Sequence, residues 1–335
     1  MSPLSRRSVL AGLAGIGATA ALAACGDEEP SGTGGSGSAT EPVKLGYIAD
    51  FTGASLMAIA EDKGLWAQHG LKPELKVFTN GPLQVQALGA GDLDFGYVGP
   101  GAMWLPASGK ARVIAINSLG FADRVIAQPG ITSVAALKGK RVGVPEGTSG
   151  DMIVRLALQQ AGLTIDDIQK VAMDASTVVT AFGSGQIDAA GIWYPLIGTI
   201  KKRVPDLAEL SKNEDFYPKV SFPSAYVGRN QVVSGKPELV KKVLAVLKAA
   251  NDERATNLDA AVEVTTKFLR SAPADQLRAE ATNARFLPSS ELAARSKDGT
   301  VNGWLSGLNG LFKDLGKLPE ATDPASYYDA AAYAA

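Results

Sequence analysis

The chain has 335 residues, a formal net charge of −1 at pH 7 and a hydrophobic fraction of 46%. This length is sufficient for two domains of ordinary size. Basic residues form no stripe along the chain, so the charge pattern argues against a nucleic-acid partner. Cys25 is the single cysteine, which excludes an internal disulfide.

The N-terminal residues have the features of an export signal. Arg6 and Arg7 precede an uncharged run, rich in Ala and Gly, that extends from Ser8 to Ala24. A basic start, a short apolar run and small residues before a cleavage point are typical of such a signal, and the paired arginines resemble the twin-arginine type. An ordinary secretory signal that happens to carry two arginines is the alternative. We therefore expect residues 1–24 to be removed on export.

Cys25 follows this run directly, in a Leu-Ala-Ala-Cys sequence that resembles the lipobox of bacterial lipoproteins. The resemblance implies that Cys25 is lipidated and that the protein is held at the cell membrane, on the extracytoplasmic side, through its acyl chains alone. Gly and Ser dominate the stretch that follows, a composition typical of a flexible linker. Residues 25–40 are therefore expected to be a lipidated tether.

From about residue 41, short apolar runs alternate with helical patterns. The run 43–49 leads through a small polar turn into a helix predicted over 54–68. The run 141–144 leads through a similar turn into a helix predicted over 151–161. Both units have the pattern of a strand, a turn and a helix.

A second pair of segments repeats more closely. Gly-Ala-Gly-Asp-Leu-Asp at 89–94 matches Gly-Ser-Gly-Gln-Ile-Asp at 183–188, with two glycines and the final aspartate at the same spacing. Alternating strands and helices predict parallel sheets that are covered on both faces. Because two segments recur in the same order, the sequence predicts an α/β fold with two lobes, two parallel-type sheets and a central cleft.

We expect the chain to cross between the lobes twice. The short extended runs 124–127 and 225–228 are the candidate crossings. The first lobe would then comprise residues 41–129 together with 221–335, and the second lobe would comprise residues 130–220.

Several motifs resemble those of the nitrate-, sulfonate- and taurine-binding proteins of ABC importers. They are Lys-Gly-Leu-Trp at 63–66, the turn at 89–101, Leu-Lys-Gly-Lys at 137–140 and Trp-Tyr-Pro at 193–195. The resemblance implies the two-lobed periplasmic-binding-protein fold of type II, hinge closure around a small polar or anionic solute, and delivery to an ABC transporter permease. That family includes receptors for thiamine-precursor pyrimidines. It also includes a related pyrimidine-synthesising enzyme, whose cysteine-rich motif this chain lacks.

The candidate ligand-binding residues lie in the strand-to-helix turns. Ligands of open α/β sheets bind beyond the carboxyl ends of strands, where helix N-termini present free N–H groups. The predicted set is Asp50, Phe51, Thr52, Ser55, Gly99, Pro100, Gly101, Thr148, Ser149, Gly150, Asp151, Trp193 and Tyr194. The hydroxyl groups could equally serve only as helix caps, and the aromatic residues could equally belong to the core.

The acidic residues in these turns leave two ligand classes open. A sulfonate or taurine-like ligand would place its anion at helix N-termini and its amine at a carboxylate. A pyrimidine held by Asp50 and stacked on Trp193 is the alternative. We expect the sulfonate class. Arg124 could pair with an anion, although a surface or hinge ion pair is the simpler expectation.

The sequence offers little support for a catalytic function. His69, the single histidine, follows the first predicted helix and lies away from the predicted cleft. The chain contains no HExxH, GxSxG or P-loop motif. We therefore expect a monomeric binding protein that is not an enzyme and needs no cofactor or metal.

Overall fold

The computed structural model describes residues 40–217, 219–270 and 272–335. The predicted export signal, Cys25 and almost all of the predicted tether lie outside these residues. The strands of the described part are β1 (Glu41–Ile48), β2 (Leu71–Phe78), β3 (Phe95–Val98), β4 (Arg112–Gly120), β5 (Asp123–Ala127), β6 (Arg141–Val144), β7 (Gln169–Ala172), β8 (Ala189–Trp193), β9 (Ala208–Lys212), β10 (Pro223–Gly228) and β11 (Ala284–Arg285).

Helices of the described part connect these strands and make up most of the C-terminal third. They are α1 (Phe51–Asp62), α2 (Leu65–Gln68), α3 (Gly81–Ala90), α4 (Trp104–Ala107), α5 (Ser149–Gln160), α6 (Ala175–Gly183), α7 (Leu196–Lys201), α8 (Asn230–Gly235), α9 (Pro237–Thr256), α10 (Leu258–Leu269), α11 (Ala274–Ala281), α12 (Ser289–Lys297), α13 (Thr300–Asp314) and α14 (Ala330–Ala334). Within the described ranges, no helix combines the length and the apolar character that a membrane span requires.

The two sheets repeat one arrangement of strands. Their orders are β11-β4-β10-β3-β1-β2 and β7-β6-β8-β5-β9. β1 lies parallel to β2 and β3, and β6 lies parallel to β7 and β8. The next strand, β10 in the first sheet and β5 in the second, runs antiparallel. The predicted α/β fold with two sheets is therefore confirmed, but both sheets are mixed rather than parallel throughout.

The repeated Gly-x-Gly-x-x-Asp turns hold matching strands together. Asp94 accepts a hydrogen bond from the backbone N–H of Lys44 at 3.0 Å, and its own N–H donates to the Lys44 carbonyl at 2.9 Å. Asp188 makes the same pair of contacts with Arg141, each at 2.8 Å. Both aspartates therefore belong to the scaffold of their sheets, and the sequence repeat is a structural repeat.

The expected crossing at 124–127 is instead part of a strand. β5 lies between β8 and β9 in the second sheet, and all of its residues are buried. The apolar run that suggested a connection is explained by this position, because a strand with neighbours on both edges and cover on both faces needs apolar side chains. The chain therefore changes sheet at Phe121 and Ala122, before the predicted boundary at residue 129. The second expected crossing, 225–228, likewise lies within β10 of the first sheet.

The core of the second sheet lies on both of its faces. Val125 packs in a cluster on one face with Val142, whereas the next residue, Ile126, packs on the other face with Ile192. This alternation follows from the pleat of a strand. Met152, on α5, belongs instead to the core of the first sheet, so α5 joins the two lobes.

Candidate ligand-binding site

A pocket lies between the two sheets, where strand-to-helix turns of both lobes meet. Residues of the predicted set that line it are Asp50, Thr52, Gly99, Pro100, Thr148, Ser149, Trp193 and Tyr194. Polar residues of the lining that the sequence did not single out are Asn80, Ser118, Asp123, Ser224, Glu280 and Asn283. The lining therefore combines both lobes with the C-terminal helical region.

Two residues of the predicted set turn into the core of the first lobe. The ring of Phe51 packs edge-on against Phe286, with the ring centroids 5.6 Å apart. The hydroxyl of Ser55 is fully buried and accepts a hydrogen bond from Arg254 Nη1 at 2.9 Å. Neither side chain lines the pocket.

Two glycines of the predicted set allow close contact between backbones. A Cβ atom on Gly101 would lie 2.0 Å from the carbonyl carbon of Thr148, so this position brings the two lobes into direct contact. A Cβ atom on Gly150 would lie 2.5 Å from the carbonyl oxygen of Gly191, which holds α5 against β8. Both glycines are therefore explained by packing.

Asp151 joins the lobes through ion pairs beside the pocket. It is buried, and one carboxylate oxygen lies 2.8 Å from Arg155 Nε. The other oxygen lies 3.5 Å from Lys317 Nζ, which belongs to the C-terminal region that packs on the first sheet. Asp151 therefore contributes to the contact between the lobes rather than to the pocket lining.

The N-terminus of α1 is occupied by a carboxyl group from α11. Glu280 accepts hydrogen bonds from the backbone N–H groups of Phe51 at 2.6 Å and Thr52 at 2.9 Å, and from the Thr52 hydroxyl. Asp50 caps the same helix by accepting from the Gly53 N–H at 2.7 Å. The helix terminus that the sequence offered to a ligand anion is therefore already filled by the protein's own acidic groups.

Asp50 and Glu280 strongly affect each other's ionisation. Burial raises the pKa of Asp50 to about 6. Burial, together with the charge of Asp50, raises the pKa of Glu280 well above its usual value. Because two neighbouring carboxyl groups in a dry site do not both ionise readily, each opposes the ionisation of the other. Asp50 and Glu280 both line this side of the pocket.

The second lobe contributes another buried carboxyl group, Asp123, at the start of β5. Its backbone N–H donates to Asn213 Oδ1 at 2.7 Å, and Asn213 Nδ2 donates to Asp123 Oδ2 at 3.2 Å. The residue is 3% exposed, and burial raises the pKa of its carboxyl group. Asp50, Asp123 and Glu280 thus give the pocket three buried carboxyl groups.

Positive charge surrounds the pocket without lining it. Arg254 is fully buried behind α1, where it donates to the Asn117 carbonyl at 2.7 Å, and burial lowers the pKa of its guanidinium to about 10. Arg124 lies 3.2 Å from Glu209 and donates to Asn283 Oδ1 at 2.9 Å, so it ties the two lobes together beside the chain crossing. Among the described residues that line the pocket, none is Lys or Arg.

Aromatic residues of both lobes complete the lining. Tyr97 and Tyr194 contact the pocket, and Tyr194 is held in place by a hydrogen bond from Lys201 Nζ to its hydroxyl at 3.0 Å. Trp193 lines the pocket and also an adjoining apolar recess that includes Leu196. The indole therefore contacts both spaces.

Sequence reasoning missed Glu280 and Asp123. Glu280 lies on the same helix face as the buried residues Leu277 and Ala281, and a carboxylate at this apolar spacing is the signal that could have singled it out. Asp123 gives no comparable signal, because its importance depends on Asn213, which lies 90 positions further along the chain.

The two repeated sheets and the cleft between them define the periplasmic-binding-protein fold. The alkanesulfonate-binding protein of Xanthomonas axonopodis pv. citri, solved with MOPS bound, superposes with a TM-score of 0.65 at 20% identity, covering 86% of this chain and 98% of that one. The periplasmic nitrate-binding protein of Synechocystis PCC 6803 superposes with a TM-score of 0.68 at 15% identity, covering 88% and 87%. The chain belongs to the NMT1/THI5-like family, whose sequence profile matches residues 52–261.

Relatives of known sequence support this assignment. A Brucella abortus protein, provisionally named as a binding protein, is 59% identical over 287 residues, which are 86% of this chain and 90% of that protein. A Bacillus subtilis protein, provisionally named as an aliphatic sulfonates-binding protein, is 27% identical over 257 residues, covering 72% and 73%. The taurine-binding periplasmic protein of Escherichia coli is 24% identical over 159 residues, covering 46% and 50%.

Proposed function

We propose that this protein is the solute-binding component of an ABC importer and that it is not an enzyme. The family, the two-lobed fold and the names of the sulfonate- and taurine-binding relatives support this role. The protein would capture its ligand outside the cytoplasm and present it to a membrane permease. A lipid on Cys25 would hold it at the membrane, and a Cys25→Ser variant that stayed in the membrane fraction would contradict that anchor.

The ligand would present N–H donors rather than an unaccompanied anion. The observation that supports this is the lining itself, which has three buried carboxyl groups and, among its described residues, no Lys or Arg. A sulfonate or nitrate placed there would lose its hydration and would oppose the ionisation of the carboxyl groups around it. An amine, an amidine or a ring N–H would instead meet carboxylate acceptors in a setting where charge-assisted hydrogen bonds are strong.

An amino-substituted heterocycle of the pyrimidine type fits this lining best. Its amino group would donate to Asp50, and its flat ring would lie against Trp193 or Tyr97. Of the two ligand classes that the sequence left open, the pocket therefore favours the pyrimidine class over the sulfonate class that we expected.

A taurine-like amino-sulfonate is the second candidate, and the names of the relatives favour it. Its ammonium group would meet Asp50. Its sulfonate would have to use the N-terminus of α5, where Thr148 and Ser149 line the pocket.

Closure of the two lobes would couple binding to transport. Thr148 of the second lobe already contacts Gly101 of the first, and Lys317 reaches Asp151 across the same junction. A ligand that bonds to both lobes stabilises this arrangement relative to an open one. Changing the ratio of closed to open protein from 1:99 to 99:1 requires about 5.5 kcal/mol of differential binding. A micromolar complex has a binding free energy of roughly 8 kcal/mol, which is sufficient.

A thermal-shift screen tests the proposed ligand class. The full-length protein would be heated with aminopyrimidines, alkylamines, taurine, alkanesulfonates and nitrate, each over a range of concentrations. We expect a concentration-dependent rise in melting temperature with aminopyrimidines and none with nitrate or simple alkanesulfonates. A rise with alkanesulfonates alone would contradict the proposed ligand class. Asp50→Asn is the matched control, since it should abolish the rise while leaving the fold intact.

A further inference from the structure

One buried acceptor of a residue that lines the pocket makes no hydrogen bond of ordinary geometry within the protein. Across the described residues, eight buried side-chain nitrogen and oxygen atoms lack a hydrogen-bond partner. Asp123 Oδ1 is the one among them whose residue lines the pocket. A buried carboxylate oxygen without a donor costs free energy, so an oxygen in this position is matched to a donor that arrives from outside the protein.

The hydrogen bonds between Asp123 and Asn213 fix the position of Asp123 without using this oxygen. Asn213 receives the backbone N–H of Asp123 and donates to Oδ2, so both the main chain and the carboxyl group are held by one side chain. Oδ1 makes no hydrogen bond of ordinary geometry, although the Ser149 hydroxyl is near enough to oppose the rise in the pKa of Asp123 that burial causes. The bonds to Asn213 are sufficient to hold Asp123 in place, and Oδ1 takes no part in them.

Asp123 belongs to the lobe opposite the one that contains Asp50. It begins β5 in the second sheet, whereas Asp50 caps α1 beside the first sheet, and both residues line the same pocket. A ligand with a single donor group would satisfy one of them and leave the other unpaired in the closed protein. A ligand with donors at two positions would satisfy both.

We propose that Asp123 is the ligand-binding residue of the second lobe and that the ligand carries a second N–H donor for its Oδ1. This inference rests on the proposed function and narrows it to a molecule with two donor groups that bridge the lobes. The bridge also gives closure a physical cause, because the second hydrogen bond forms only when the sheets are together. A ligand with one donor would bind more weakly and would stabilise closure less.

Two probes that differ in one amino group test this inference. 4-Amino-5-(aminomethyl)pyrimidine carries donors at two positions, and 4-amino-5-methylpyrimidine carries the first of them alone. Their affinities for the full-length protein would be measured by calorimetric titration. We expect the diamine to bind at least about tenfold more tightly, as is usual for a hydrogen bond to a buried charged group.

Three variants test whether Asp123 causes the tighter binding of the diamine. We expect Asp123→Asn to reduce the affinity ratio of the two probes to roughly threefold or less, since a neutral acceptor bonds more weakly. Asp123→Ser, whose shorter side chain avoids a clash with Asn213, should give the same result. Glu146→Gln changes a carboxylate of the second lobe that is paired with Lys170 outside the pocket lining, and it should leave the ratio unchanged.

The two proposals fail in different ways. If wild-type protein binds both probes equally, or if both Asp123 variants keep the full preference for the diamine, the role of Asp123 is overturned and the proposed ligand class stands. If wild-type protein binds neither probe, the ligand class is overturned and the role of Asp123 with it. Because the readout is a ratio of affinities in each protein, a general loss of stability in a variant does not imitate the expected result.

Discussion

The β1–α1 turn of the first lobe and the β6–α5 turn of the second are matching parts of the structural repeat with different chemistry. In the first turn, Asp50 caps the helix and Glu280 fills the rest of its N-terminus. In the second turn, the cap is Thr148, which accepts from the Gly150 N–H at 3.2 Å, and Ser149 is left at the pocket. The scaffold has been repeated, whereas the groups that face a ligand have not.

This difference separates the residues that stabilise the fold from those that line the pocket. Asp94 and Asp188 occupy equivalent positions and make equivalent bonds, so they specify the sheets. Asp50 and Thr148 occupy equivalent positions and differ in charge, so the two strand-to-helix turns present different groups to the pocket. Changes at the first pair should alter stability, and changes at the second pair should alter binding.

The largest expected effect comes from Asp50→Asn. Asparagine is also a good helix cap, so the bond from the Gly53 N–H can persist while the charge is lost. We expect affinity for an aminopyrimidine to fall by about a hundredfold, in line with the loss of one partner of a buried charged pair. Calorimetric titration measures this loss, and affinity within threefold of wild type would show that Asp50 is not the acceptor.

The same variant should be more stable than wild type at neutral pH. The pKa of Asp50 is raised to about 6 by burial, so between roughly pH 4 and pH 6 the folded protein binds more protons than the unfolded chain. The free energy of unfolding therefore falls as pH rises through this window, because the buried carboxyl group ionises. Asn at position 50 does not ionise, so Asp50→Asn removes this loss of stability. Chemical denaturation at pH 7.5 and pH 4 should show a higher free energy of unfolding for the variant than for wild type at pH 7.5 alone.

Ligand affinity should depend on pH in a direction that distinguishes the two ligand classes. A ligand that donates to Asp50 requires the carboxylate, so affinity should be full above about pH 6 and should fall below it. Between pH 7.5 and pH 5 we expect a loss of roughly tenfold, after correction for titration of the ligand itself. An anionic ligand would be favoured by protonation, and an affinity that rose on acidification would contradict the account.

The smallest expected effect concerns the scaffold pair. Asp188→Asn weakens the bond to the Arg141 N–H and removes an ion pair with the Arg141 side chain at 3.2 Å. Because the pair is partly exposed, we expect a loss of about 1 kcal/mol in the free energy of unfolding and unchanged ligand affinity. Urea denaturation and titration of the same preparation measure both quantities. A tenfold loss of affinity would show that the scaffold and the site are not separate.

The sequence predicted the architecture because the repeat is local. The spacing of glycines and aspartate at 89–94 and 183–188 marks each helix-to-strand turn without information from elsewhere in the chain. The mixed character of the sheets was missed, since it depends on β5 and β10, whose partners are distant in sequence. An apolar run has the same pattern in either direction, so periodicity alone could not place these strands.

The candidate site was less accessible to prediction. The turns themselves were placed at the pocket, because strand ends and helix starts are visible in the sequence. Glu280, which fills the N-terminus of α1 with a carboxyl group, reaches this helix from 228 positions further along the chain. A single sequence does not indicate which distant side chain fills a helix N-terminus, so the expectation of a sulfonate ligand was formed without this contact.

The most direct test of the acidic pocket is mass spectrometry of the small molecule that the protein releases on denaturation, after purification from cells that export it. We expect a compound that is neutral or cationic at pH 7 and has N–H donors at two positions. Release of an alkanesulfonate, nitrate or another ligand without an N–H donor would contradict it.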